Sequence, residues 1–449
     1  MSVAGIENRG LFQRLSNNSG LKKYFFNTSW LMAENILRLL AGLFVGVYVA
    51  RYLGPEKFGI FSYSLAFVSL FSSIAKLGLD KILIRELLNQ PDKTNELLGT
   101  AFWLKVAGAV MMMVLIAGVL VFTDNTSEIK LYIFIISLGI IFQAFEVIDF
   151  YFQAKVQVKY VSICKTVQLL ILCVIKLYLI YSEAELIWFV YLSLIGPVLL
   201  SGFLLYAFCS KSIPLFFRFF DADIAKGFLK DSWPLILSGL VIMVYMRIDQ
   251  IMIKSMLGEA QVGVYSAAVR LSEVWYFVPT VLSVSLFPSI VNARKVSEDL
   301  FQSRMQSFFY FCAFLGFSCA IITTVFAVDI IQLLYGKDFL ESSSVLAVHI
   351  WAGLFVFMGV AAGGWFIVDN LQKLSFYRTF AGAVANVFLN WWLIPAYGVL
   401  GAAYATLISQ FVASVLFNFF DVRTYNCFKM QLRAILTLGL PLLWRKYES

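Results

Sequence analysis

The stretch Arg51–Phe67, RYLGPEKFGIFSYSLAF, is echoed by Met256–Leu271, MLGEAQVGVYSAAVRL. Aligned on Leu-Gly, Gly54 falls on Gly258, Gly59 on Gly263 and Ser62 on Ser266, each pair 204 residues apart. Leu-Gly ends a helix, because Gly tolerates the backbone turn past the last residue. Pro55 suits the first turn of a new helix. Gly59 and Gly263 permit close backbone approach, and Ser62 and Ser266 are placed to bond across helices. The motif reads as a tight helical hairpin, and the chain carries it twice.

Hydrophobic residues make up 61% of the sequence and charged residues 14%, against about 45–50% and about 25% in soluble domains. The excess falls in runs of about 20 residues, the length that crosses about 30 Å of hydrocarbon as a helix. Lipid offers backbone groups no partner, so each run is expected to be helical. About twelve spans centre near Leu40, Val68, Val110, Leu138, Leu170, Leu194, Leu240, Tyr276, Leu315, Phe355, Val387 and Ser409. The fold class is therefore an all-α polytopic membrane protein. The first run follows Arg9, Arg14, Lys22 and Lys23 but is long and contains Glu34 and Arg38. It reads as a retained span, not a cleaved leader. Leu432–Trp444 is apolar but short, and is expected to lie at the interface or dock.

Most of the 35 Lys and Arg lie in the N-terminal tail, every second connection and the C-terminal tail. The alternate connections hold only Arg51, Lys57, Lys130, Lys254 and Lys337. Both termini are thus expected in the cytoplasm. The basic residues are scattered over many loops, so the net charge of +8 is no nucleic-acid signal; it suits anionic lipid. Six spans separate the two hairpins, so both copies have the same orientation. Two parallel six-helix bundles around a central cavity follow, the plan of an alternating-access transporter. The expected organisation is a tail at 1–28, a first half at 29–210, an amphipathic interfacial linker at 211–232, a second half at 233–420 and a tail at 421–449.

RYLGPEKFGIFSYSLAF, then LGLDKILIREL, then YMRIDQIMIKSMLGEAQVGVYSAAVRLSEVWYFVP and finally IPAYGVLGAAYATLIS stand in this order. Together they resemble the bacterial polysaccharide transporter family, the Wzx-type O-unit flippases of the multidrug/oligosaccharidyl-lipid/polysaccharide exporter superfamily. The resemblance spans essentially the whole chain. It implies twelve helices, a rocking mechanism, and movement of undecaprenyl-diphosphate-linked oligosaccharide, such as an O-antigen unit, to the periplasmic leaflet of the bacterial inner membrane. Implied partners are that lipid-linked glycan, membrane lipid, and the polysaccharide polymerase and chain-length regulator.

Charges inside spans are functional candidates, since each costs about 2.5–3.5 kcal/mol to insert. Glu34 and Arg38 lie about 9 and 15 Å into the first span and, four apart, share a face. Arg270 and Glu273 lie about 10 and 15 Å into the eighth and, three apart, share a face. Arg247 and Asp249, two apart, must point in different directions and find separate partners. Lys165 and Lys176, three turns apart on one face, are expected to snorkel to an interface. These eight residues are the candidate substrate-binding set; cations among them suit a diphosphate, and structural pairing is the competing reading for each charge pair. Lys76, Asp80, Glu146 and Asp149 are expected near the ends of their spans, with an interfacial role.

Enzyme signatures do not hold together. Asp221-Ala222-Asp223 has metal–sugar-nucleotide spacing but sits in the linker, where a helix start is the better reading. His349, the one histidine, is expected at a helix end. The six Cys show no paired spacing. No cofactor or metal is expected, with a proton or sodium ion as the coupling ion. The alternatives are a drug or cation antiporter of the same superfamily and an integral-membrane polymerase. The cationic lean of the candidate residues favours an anionic substrate, and no large outer loop is present to hold a polymerase site.

Overall fold

The computed structural model describes residues 19–211 and 214–440, with backbone alone for 19–29 and 31–33. Arg9, Arg14 and the end of Leu432–Trp444 lie outside the described residues. Among these, every regular element is helical. The first, α1, runs from Ser19 to Lys76. It is followed by α2 (Asp80–Asn89), α3 (Thr94–Val121), α4 (Ser127–Phe142), α5 (Val147–Ala154), α6 (Val158–Tyr181) and α7 (Leu186–Cys209). The second part comprises α8 (Ala222–Leu257), α9 (Glu259–Glu273), α10 (Phe277–Val296), α11 (Glu298–Val325), α12 (Ala327–Leu334), α13 (Ser342–Val368), α14 (Gln372–Tyr397), α15 (Val399–Ser414) and α16 (Val422–Leu436).

Eleven segments among the described residues are long and apolar enough to cross a membrane. The first of these is 56 residues long, which at 1.5 Å per residue is about 84 Å, far more than one crossing. It is broken at Gly54, whose backbone is non-helical (φ 72°, ψ 171°). The segment thus supplies two spans, and the total is the twelve that the sequence predicts. Gly258 takes nearly the same angles, φ 94° and ψ 179°. This is not the left-handed helical turn expected from Leu-Gly. It is a region open essentially to glycine alone.

The chain forms two compact units. Residues up to Val45, with Phe71–Leu237, form the first; Gly46–Leu70 and the chain from Ser238 form the second. In the first unit, α2, α3, α5 and the end of α7 bury Leu83, Leu98, Phe152 and Phe208. Phe102 sits edge-on to Phe145 at 5.0 Å and to Phe217 at 5.1 Å between centroids. The expected linker is docked here: Phe216 is fully buried, and the Asp221 amide donates to Thr100 Oγ1 at 3.0 Å. Asp221 Oδ1 then accepts from the amides of Asp223 and Ile224, the helix start foreseen for that acidic pair. From Ala222 the chain is already α8, continuous into the span. Only 6% of the apolar window of helix α6 is buried, whereas for α13 the figure is 67%. The first lies at the margin of its unit and the second forms the centre of its own, packed on α9, α11 and α15.

Within the second unit the two hairpin motifs meet. A Cβ on Gly59 would fall inside the Glu259 carbonyl, and one on Gly263 inside the Pro55 carbonyl. Glu259 is the repeat equivalent of Pro55, so the contact is reciprocal: each copy's second glycine receives the other copy's first turn. Phe58 packs on Phe339 at 6.1 Å between centroids beside it. The Ser266 hydroxyl is buried without a hydrogen-bond partner, so the expected cross-helix bond does not form there; neighbouring carbonyls serve their own helices.

Gly59→Ala and Gly263→Ala should each lower stability by about 1–3 kcal/mol, the usual cost of overpacking. The double variant should fall short of their sum, because one separation relieves both clashes. Gly118→Ala, where a Cβ meets nothing within 4 Å, is the control. Thermal melting in detergent that ranks Gly59→Ala with Gly118→Ala would remove the close-approach reading.

Candidate functional site

The spans hold two polar clusters, one in each unit. In the first unit, Glu34 and Arg38 are one turn apart on α1 and form an ion pair. The Glu34 side chain is 4% exposed and that of Arg38 is 50% exposed. The acid is an anchor and the guanidinium is presented. Arg38 also lies within electrostatic reach of Glu146 and Asp149.

Lys165 on α6 does not snorkel as expected: its Nζ donates to Asp149 Oδ2 on α5 at 2.7 Å. Gln153, one turn on, donates to Asp149 Oδ1 at 2.9 Å. Lys105 on α3 is 2% exposed and stands 3.4 Å from Glu146 Oε2, 3.5 Å from Asp80 Oδ1 and 4.7 Å from the Phe150 ring centroid. Glu146 and Asp149 are therefore members of an ion-pair network, as cations in a span need partners. Lys176, three turns along α6, lies beside Cys173. The cluster holds Glu34, Asp80, Glu146 and Asp149 against Arg38, Lys105 and Lys165. Within this unit the cluster leans acidic.

In the second unit, Arg247 and Asp249 diverge on α8 as their spacing requires. Arg247 faces Glu273 on α9 through two contacts of 3.4 Å. Arg270 does not take up Glu273. Its guanidinium lies over the Phe58 ring at 5.6 Å and against Gly46, since one turn of α9 turns it toward α1. Asp249, 4% exposed, meets only neutral groups. Tyr265 and Thr406 hydroxyls donate to its Oδ2 at 2.6 Å each. Asn390 Nδ2 donates to its Oδ1 at 2.6 Å and to Asn386 Oδ1 at 3.1 Å. Asn390 Oδ1 is buried with no partner.

Tyr265, Asn386, Asn390, Thr406 and Lys105 were not among the sequence candidates. The amides had a legible signal: two Asn four apart in an apolar run. His349 is not at a helix end. It is buried within α13 and its Nδ1 is 2.6 Å from Ser272 Oγ. Arg378 on α14 was also missed; it donates to the Gly359 carbonyl at 3.2 Å and lies 4.6 Å from the Phe366 centroid.

Lys165→Met should cost on the order of 3 kcal/mol, because it leaves Asp149 buried without its cation. Lys165→Met with Asp149→Leu should regain most of that. Melting curves of the single and double variants check it; equal losses in both would mean that the pair is not a unit.

Over residues 25–294 the sequence matches the family described as polysaccharide biosynthesis protein; over 234–392 it also matches MatE. It is 26% identical to the probable flippase AglR of Haloferax volcanii, over 85% of this chain and 80% of that protein. It is 21% identical to the capsular polysaccharide biosynthesis protein CapF of Staphylococcus aureus, over 89% and 99%. Among solved structures, the lipid II flippase MurJ in an inward closed conformation superposes with a TM-score of 0.71 at 16% identity, covering 91% of each chain. A multidrug resistance MATE family transporter in its inward-facing conformation gives 0.71 at 15%, covering 89% and 95%. The fold is thus that of these transporters, and the match over more than half its length makes this chain a member of the polysaccharide biosynthesis protein family.

Proposed function

We propose that the chain is a flippase that carries undecaprenyl-diphosphate-linked oligosaccharide from the cytoplasmic to the periplasmic leaflet of a bacterial inner membrane, with both termini cytoplasmic. The observation that carries this reading is Arg38. A half-exposed guanidinium inside an otherwise apolar span is costly against lipid. Its exposed face belongs in water, and its anchor Glu34 keeps it there. A planar, permanently charged donor matches the oxygens of a diphosphate. The polyprenyl tail can stay in the bilayer, so only the diphosphate and sugars need this polar path. AglR and CapF, named for flipping and for capsule biosynthesis, support the substrate class. Polymerase and chain-length regulator are the partners such a chain would serve.

We read Asp249 as the site of the coupling ion. Its carboxylate and two hydroxyls, joined by the Asn390 amide oxygen if that side chain turned over, would form an all-oxygen set, which suits a proton or a hard cation such as sodium. Among the described residues no cation pairs with it, so an ion from solution would neutralise it. A second reading, export of an organic cation, has the acidic lean of the first-unit cluster and the MatE match in its favour.

Spheroplasts treated with an impermeant glycosidase report how much lipid-linked glycan has reached the outer leaflet. Deletion of the gene should abolish that access. Arg38→Lys should retain part of it, and Arg38→Ala should lose on the order of tenfold or more, the value of a charged hydrogen bond. Recovery in the Glu34→Ala, Arg38→Ala double variant would reduce the pair to a structural role. Full access in the deletion strain, with loss of organic-cation export, would select the second reading.

For the ion, melting of the purified protein should rise with sodium or with acidification, by about 2.7 kcal/mol at a hundredfold excess over Kd. Asp249→Asn should flatten that dependence while remaining folded. A wild type insensitive to both ions would exclude Asp249 as the coupling site.

A further inference from the structure

Helix α16 follows the last span and is fixed by one face. Thr424, Cys427, Gln431 and Ala434 are buried, at helical spacing. Gln431 locks it: Nε2 donates to the carbonyls of Met358 and Ser414 at 3.1 and 3.0 Å, and Oε1 accepts from Asn418 at 2.8 Å. Gln306 on α11 donates to the Met430 carbonyl at 3.1 Å. Between these two helices lies a recess of about 320 Å³. Its walls carry Gln302, Gln306, Asn426, Lys429 and Arg433, and no carboxylate lines it. The acid at the start of α11 is already engaged, since Glu298 pairs with Arg294 and accepts from Gln302 at 2.9 Å. At both ends of α16 large apolar side chains stand out: Val422 is 93% exposed and Leu436 67%. Side chains so exposed suit contact with lipid, which would put the recess at headgroup level.

We propose that this recess binds the phosphate of an anionic phospholipid headgroup. Lys429, Arg433 and the Asn426 amide line it, beside Gln302 and Gln306, whose amides already donate elsewhere; cations and an amide suit phosphate oxygens. Its place beside exposed apolar side chains suits a phosphate that arrives on a lipid. It is separate in sequence from Arg38 and Asp249 and independent of the transport reading. Basic recesses beside spans are also where a membrane's anionic lipids are held by charge. Occupancy would pin α16 against α11.

The test uses the full chain, extracted from bilayers of equal phosphatidylglycerol and phosphatidylcholine, with retained lipid counted by native mass spectrometry. The wild type should keep phosphatidylglycerol preferentially. Since each cation near an anionic surface contributes about fivefold, the Lys429→Gln, Arg433→Gln variant should lose that preference by roughly 30-fold. Asn426→Trp, which fills the recess and leaves the charge alone, should lose it too. The charge-keeping Lys429→Arg, Arg433→Lys variant should hold it. Equal retention in wild type, the charge-removed variant and the filled variant overturns the proposal. So does a melting shift with inorganic phosphate as large as that with phosphatidylglycerol, which would make the ligand a free anion.

Discussion

Lipid supplies no hydrogen-bond partner, and this one deficit organises the molecule. It makes every regular element among the described residues a helix. It also compels each charge within the spans to find an answer inside the protein. Lys165 is held by Asp149, Lys105 stands between Glu146 and Asp80, and Arg247 faces Glu273. Where an oppositely charged partner is missing, other chemistry stands in. Asp249 is surrounded by hydroxyl and amide donors, and Arg270 and Arg378 lie over aromatic rings.

The architecture was almost fully legible in the sequence. Length and apolarity give the crossings, and the repeated Leu-Gly gives their doubling. The close approach at Gly59 and Gly263 was also readable, because only the lack of a side chain explains a glycine one turn into a span. What the motif could not convey is that each copy's glycine packs on the first turn of the other copy. That is a fact of the assembled structure, linking positions about two hundred residues apart in the chain.

The polar clusters were only partly legible, for a geometric reason. Spacing along one helix says which residues share a face, so Glu34 with Arg38 was correctly paired. It does not say which neighbouring helix approaches. Arg270 and Glu273 share a face of α9 by the same rule, yet Glu273 is taken by Arg247 from α8. Lys165 has the stem length to snorkel, but its ammonium group meets an acid on α5. Lys105 drew no notice because one cation in an apolar run looks like a span boundary. Its depth only shows once the acids around it are placed.

The allotment of Gly46–Leu70 to the second unit bears on how the chain is made. This segment leaves the ribosome early, but Glu259 and Gly263, against which it packs, come about 190 residues later. At 5–20 residues per second that is a delay of about 10–40 s. For that interval the first hairpin must sit in the bilayer with its packing surface unfilled. Its apolar length and the fixed turn at Gly54 have to hold it there without tertiary help. The N-terminal half therefore cannot mature as an autonomous body during synthesis, and its quality control must tolerate an open glycine face until the second half has been inserted.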